Sequence, residues 1–117
     1  MSAHLFIAED ETSIITLLKY NLEKEGHKVS YSENGEDALK QIKDKYPDLI
    51  LMDWMLPDLS GVDICRNLKK DKKFKDIPII MVSAKGEEED KLKAFDTGAD
   101  DYVTKPFSQK ELYARIK

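Results

Sequence analysis

The chain of 117 residues has the length of one domain, and its 41% hydrophobic and 36% charged content suits a packed core under a solvated surface rather than a disordered polymer. A net charge of -4, from 23 acids and 19 bases, excludes the strongly basic character needed to neutralise a nucleic-acid backbone. A single cysteine, Cys65, excludes an internal disulfide, and no apolar run is long enough to span a bilayer or to form a secretion signal behind Met1. A soluble, cytoplasmic protein without membrane contact is therefore expected.

In chain order, Leu5–Ala8 reads as a buried strand. Residues 12–25 follow as a helix with Ile14, Leu17, Leu18 and Leu22 on its inward stripe, ending at Gly26. Val29–Ser32 is a second strand, and Gly35–Lys43 a second helix facing in through Ala38, Leu39 and Ile42. Leu49–Met52 is the clearest central strand, entered from a turn at Pro47. A loop from Trp54 to Ser60 leads into a third helix carrying Val62, Cys65 and Leu68 inward. Pro78–Val82 is a fourth strand, residues 87–97 a fourth helix stopped by Gly98, and Tyr102–Thr104 a fifth strand. Ser108 is placed to cap a last helix running to Lys117.

Strict alternation of strand and helix predicts right-handed crossovers and an α/β fold, a doubly wound five-stranded parallel sheet covered on both faces. In such sheets the functional site lies beyond the carboxyl ends of the strands. The residues there are Glu9, Asp10 and Glu11 after the first strand, Asp53 after the third, Ser83 after the fourth and Lys105 after the fifth. Each has a plain reading by itself. Asp10 alone reads as a helix cap, Asp53 as a loop starter, Ser83 as a turn cap and Lys105 as a solvated charge. Together, in this order, they are what phosphorylation of a carboxylate requires.

Clustered carboxylates repel one another, and a hard divalent ion such as Mg2+ relieves the repulsion through oxygen ligands. With Asp10 and Asp53 holding that ion, Asp53 serves as nucleophile toward a phosphoryl group. Lys105 then pairs with the phosphoryl oxygens, and the Ser83 hydroxyl donates a hydrogen bond to them.

The segments Glu9-Asp10-Glu11, Leu49–Pro57, Val82-Ser83-Ala84 and Lys105-Pro106-Phe107 resemble the response-regulator receiver family, with the flavodoxin-like (βα)5 fold. Ala84–Asp90 and Thr97–Phe107 resemble its OmpR/PhoB subfamily, and Asp53–Pro57 resembles the phosphate-starvation members of that group. The resemblance covers all 117 residues. It implies Asp53 as phosphoacceptor, with a histidine kinase as donor. It implies Mg2+ on Asp10, Asp53 and the Met55 backbone carbonyl, with Glu9 assisting through water. Ser83 and Tyr102 would form a switch pair, and a face built on the fourth helix, fifth strand and fifth helix would dimerise on phosphorylation. Lys91, Asp100, Asp101, Glu111 and Arg115 match positions of that face. The resemblance also implies a DNA-binding effector domain beyond residue 117, and an ending inside a helix favours a chain cut from a longer one.

Three other readings compete. A stand-alone receiver or phosphorelay shuttle would lack DNA output. An aspartyl-phosphate hydrolase would need an acid two residues after the nucleophile, where this chain has Met55. A nucleotide-binding flavodoxin-like domain would need a glycine-rich loop after the first strand. Self-phosphorylation from a donor and slow self-dephosphorylation are therefore expected, rather than enzymatic turnover. Trp54, next to the nucleophile, is expected to cover or flank the acid pocket.

Overall fold

The computed structural model describes residues 3–83, 98–104 and 116. Its elements are β1 (His4–Ala8), α1 (Thr12–Lys24), β2 (Lys28–Ser32), α2 (Gly35–Lys45), β3 (Leu49–Asp53), α3 (Gly61–Lys70), β4 (Ile79–Ser83) and β5 (Asp101–Thr104). The helices expected over 87–97 and from Ser108 lie outside the described residues, apart from Ile116.

The five strands form one parallel sheet in the order β2-β1-β3-β4-β5. The chain leaves β1 for one side of the sheet and returns for β3 on the other, which opens a crevice between their carboxyl ends. Register carries that crevice to the acids. Ala8 pairs with Met52 and Asp53 with Val82, so Glu9 and Asp53 leave adjacent strands at the same level.

Alternation along the strands divides the core in two. Phe6, Ile50, Met52 and Met81 face α2 and α3, meeting Ala38, Ile42, Ile64 and Leu68. Leu5, Ile7, Leu51 and Val82 face α1, meeting Ile15, Leu18 and Leu22, with Ile116 packed on the same side. Fully burying such a side chain is worth about 1.5–3 kcal/mol, so the two layers together hold the strand ends in place.

The inward stripe of α1 differs from the sequence expectation. Leu17 is 48% exposed, while Ile15 is buried beside Leu18 and Leu22. Ile15 and Leu17 are separated by about 200° around a helix, so a stripe that buries Ile15 turns Leu17 outward. The helix turns so that Ile15, Leu18 and Leu22 share the seam, and Ile14 packs at its margin.

Candidate functional site

Three carboxylates meet at the crevice. One oxygen from each of Glu9, Asp10 and Asp53 lies within 4.8 Å of the others. Glu9 and Asp53 are buried and Asp10 is exposed, so the cluster is anchored in the sheet and open to water on one side.

Backbone donors hold the two buried acids. The Glu9 amide continues the β1–β2 ladder by donating to the Ser32 carbonyl at 3.1 Å, and a Glu9 carboxylate oxygen accepts from the Glu11 amide at 3.1 Å. The Asp53 side chain accepts from the Met55 amide at 3.2 Å, while the Trp54 amide donates to Val82 across the sheet at 3.2 Å. Asp53 is thus both the last residue of β3 and the start of a turn, and the two readings of its position are compatible. Asp10 is not the cap of α1. That place belongs to Glu11, whose side chain makes no capping bond, leaving the Asp10 carboxylate to the acidic cluster.

The donor set tests which metal could fit. All three side chains offer hard oxygen atoms, and the described histidines and Cys65 lie outside the cluster. Such a set suits Mg2+ or a similar hard cation rather than zinc, and exposure at Asp10 leaves room for the waters Mg2+ retains.

Gly61 belongs to the site although nothing local marks its role. Its amide donates to the Trp54 carbonyl at 3.0 Å, and a Cβ there would stand 2.1 Å from the Asp53 carbonyl oxygen. Only glycine lets α3 start this close to the backbone of Asp53. Ser60 caps the helix, its hydroxyl accepting from the Asp63 amide at 3.2 Å.

Trp54 takes a different place from the expected one. It is buried in the core layer shared with Met52, α2 and α3, where its ring meets Tyr102 edge-on with centroids 6.4 Å apart. Because successive residues leave a strand on opposite faces, Trp54 points away from the side that carries Asp53. Tyr102 is likewise buried, paired in register with Met81. Ser83 ends β4 opposite Thr104, as expected of a strand-end residue, while its side chain lies outside the described set.

The proposed dimer-face positions are only partly described. Asp100 is committed within the chain, one carboxylate oxygen accepting from Lys69 Nζ at 3.0 Å and from the Ile79 amide at 2.8 Å. The Asp101 side chain accepts from the Tyr102 amide at 2.8 Å. Lys91, Lys105, Glu111 and Arg115 lie outside the described residues.

Residues 5–117 match the response regulator receiver domain family. The phosphate regulon transcriptional regulatory protein PhoB of Escherichia coli is 45% identical over 117 residues, covering all of this chain and 51% of PhoB. The alkaline phosphatase synthesis transcriptional regulatory protein PhoP of Bacillus subtilis is 47% identical, covering all of this chain and 48% of PhoP. The chain thus spans about half the length of these curated relatives. Among solved structures, the receiver domain of a Pseudomonas aeruginosa sensor histidine kinase, with a magnesium ion coordinated in its active site cleft, superposes with a TM-score of 0.89 at 27% identity. That match covers 99% of this chain and 95% of the other.

Proposed function

The chain belongs to the response regulator receiver domain family, and from that premise we propose that it is the phosphorylation-controlled part of a cytoplasmic transcriptional regulator of phosphate-starvation genes. The observation that carries this reading is the convergence of buried Asp53 with Glu9 and Asp10 at the carboxyl end of the sheet. The names and lengths of PhoB and PhoP support a DNA-binding effector domain beyond these residues.

In this reading an Asp53 carboxylate oxygen attacks the phosphorus of a histidine kinase's phosphohistidine. The new O–P bond forms as the P–N bond breaks, and the electron pair leaves with the imidazole. Mg2+ bound by Asp10, Asp53 and the Met55 carbonyl, with Glu9 behind a water, would neutralise the charge gathered between carboxylates and phosphoryl oxygens. The Met55 amide keeps Asp53 oriented. Lys105 pairs with the phosphoryl group, and the Ser83 hydroxyl turns toward it. Tyr102 responds to that movement through its packing beside Trp54. The face around β5, with Lys91, Asp100, Asp101, Glu111 and Arg115, then favours a homodimer. Met55 supplies no proton-transfer group two residues after the nucleophile, so Asp53 holds the signal instead of turning over phosphoesters.

Acetyl phosphate with Mg2+ should add one phosphoryl group per chain by intact mass and shift monomer toward dimer in light scattering. Asp53→Asn should remove both responses. Stoichiometric phosphorylation of Asp53→Asn would sink the assignment.

A further inference from the structure

The Trp54–Ser60 loop links Asp53 to α3, and its two ends are held differently. Near the acceptor it is fixed by the Met55 and Trp54 amides and by the close fit of Gly61. Further along, it reaches a different element. One carboxylate oxygen of Asp58 accepts from the Gly35 amide at 2.7 Å, and the other accepts from the Glu36 amide at 3.1 Å. These are first-turn N–H groups of α2, which have no partner inside their own helix. The helix's own cap, Asn34, serves the next one, accepting from the Asp37 amide at 2.9 Å. The N-terminus of α2 is therefore capped jointly, by its own residue and by a carboxylate from the acceptor loop.

A second observation shows how tightly the two segments meet. A Cβ on Gly35 would lie 2.1 Å from the Leu59 carbonyl oxygen and 2.7 Å from the Leu59 Cβ. The loop and the helix start are in backbone contact, and only glycine at 35 permits it. Met55, by contrast, is 59% exposed, so its side chain provides little to fix the peptide that follows it. The position of that peptide comes instead from either side of it, from the Met55 amide held on Asp53, Leu56 in the core and Asp58 docked against the start of α2.

We infer that Asp58 is a positioning residue. By clamping the acceptor loop to the start of α2, it holds the Met55 carbonyl in place beside Asp10 and Asp53 for a bound cation. This rests on the metal reading of the site given above. The chemistry at Asp58 is consistent with a clamp that stays charged. Partial desolvation pushes its carboxyl upward, but hydrogen bonds from the backbone amides of Gly35, Glu36, Asp58 and Leu59 together hold it below the ordinary carboxylate range.

The test is an MgCl2 titration followed by amide NMR shifts around Asp53, on the wild-type chain and three variants. Asp58→Ala should weaken Mg2+ binding about tenfold, the size typical of losing a group that orients a metal ligand. Asp58→Asn, which keeps one acceptor oxygen, should fall between the two. Asn34→Ala removes the other cap of α2 without touching the loop, and should leave Mg2+ affinity unchanged. Amide exchange at Gly35 and Glu36, measured without metal, should accelerate in Asp58→Ala. Equal weakening by Asp58→Ala and Asn34→Ala would reduce Asp58 to a helix cap and overturn the inference, as would unchanged affinity in Asp58→Ala. A wild-type chain that fails to bind Mg2+ would overturn the metal reading itself, and the role of Asp58 with it.

Discussion

The two ends of the parallel sheet are built from the same strands and arrange charge differently. At the amino end, charged and polar groups find partners. Lys69 Nζ donates to the Lys75 and Ile77 carbonyls and to Asp100, each at 3.0 Å, and Asp48 accepts from the His4 amide at 2.7 Å. At the carboxyl end, Glu9, Asp10 and Asp53 are gathered within 4.8 Å of one another. Paired groups lower the energy of the fold, whereas like charges brought together raise it to the extent that cations and hydrogen-bond donors do not offset them. The difference separates the end that stabilises the domain from the end proposed to respond to a ligand.

The comparison can be broken by showing that either end does the other's work. Lys69→Ala should cost the most stability. It strips donors from two carbonyls and a carboxylate, and its side chain is only 16% exposed. A loss of about 2 kcal/mol is expected in urea unfolding, with Mg2+ affinity unchanged. A weakened metal site in that variant would show that the ends are not independent.

Asp10→Asn should act in the opposite sense and more weakly. Removing one like charge from the cluster should stabilise the metal-free protein by about 0.5 kcal/mol, a small value because Asp10 is exposed and screened. MgCl2 should raise the melting temperature of the wild type, and the same variant should lose that rise. Thermal unfolding with and without MgCl2 checks both halves, and a destabilised metal-free variant would contradict the repulsion argument.

The smallest effect belongs to His4. Burial lowers its pKa from the ordinary 6.5, and Lys28 and Lys45 add to this while Asp48 opposes them. The folded state therefore favours neutral imidazole, whose ring nitrogen lies 2.8 Å from the Ser30 hydroxyl. The stability this contributes is fully present above 6.5 and is lost as pH falls through the lower folded-state pKa. Urea midpoints measured from about pH 7 down to about pH 5 should decline less steeply in His4→Gln than in the wild type. Parallel slopes would assign the acid sensitivity to other groups.

Much of this was legible along the chain because it is local. Short apolar runs separated by amphipathic stretches define β1 to β5 and the described helices, and reading each strand to its last residue finds Glu9, Asp10 and Asp53. Errors arose where one position had two competing neighbours. Ile15 displaced Leu17 because the sheet selects one face of α1, while Asp10, which alone could also read as a cap, precedes a helix that starts at Thr12 as expected and is capped at Glu11. Trp54 is adjacent to Asp53 in sequence but packs in the opposite core layer, beside Tyr102.

The sequence by itself therefore determined the kind of fold, from periodicity, and the acids at its strand ends, from residue types, while the resemblance of its motifs pointed to the family. The tertiary structure decided what those residues meet. Pairing of β1 with β3 brings Asp10 and Asp53 together from distant parts of the chain, and the contact between Asp58 and α2 spans 23 positions. Neither is encoded in a local pattern. Both exist only once the two core layers have closed on the sheet and fixed which loops stand side by side.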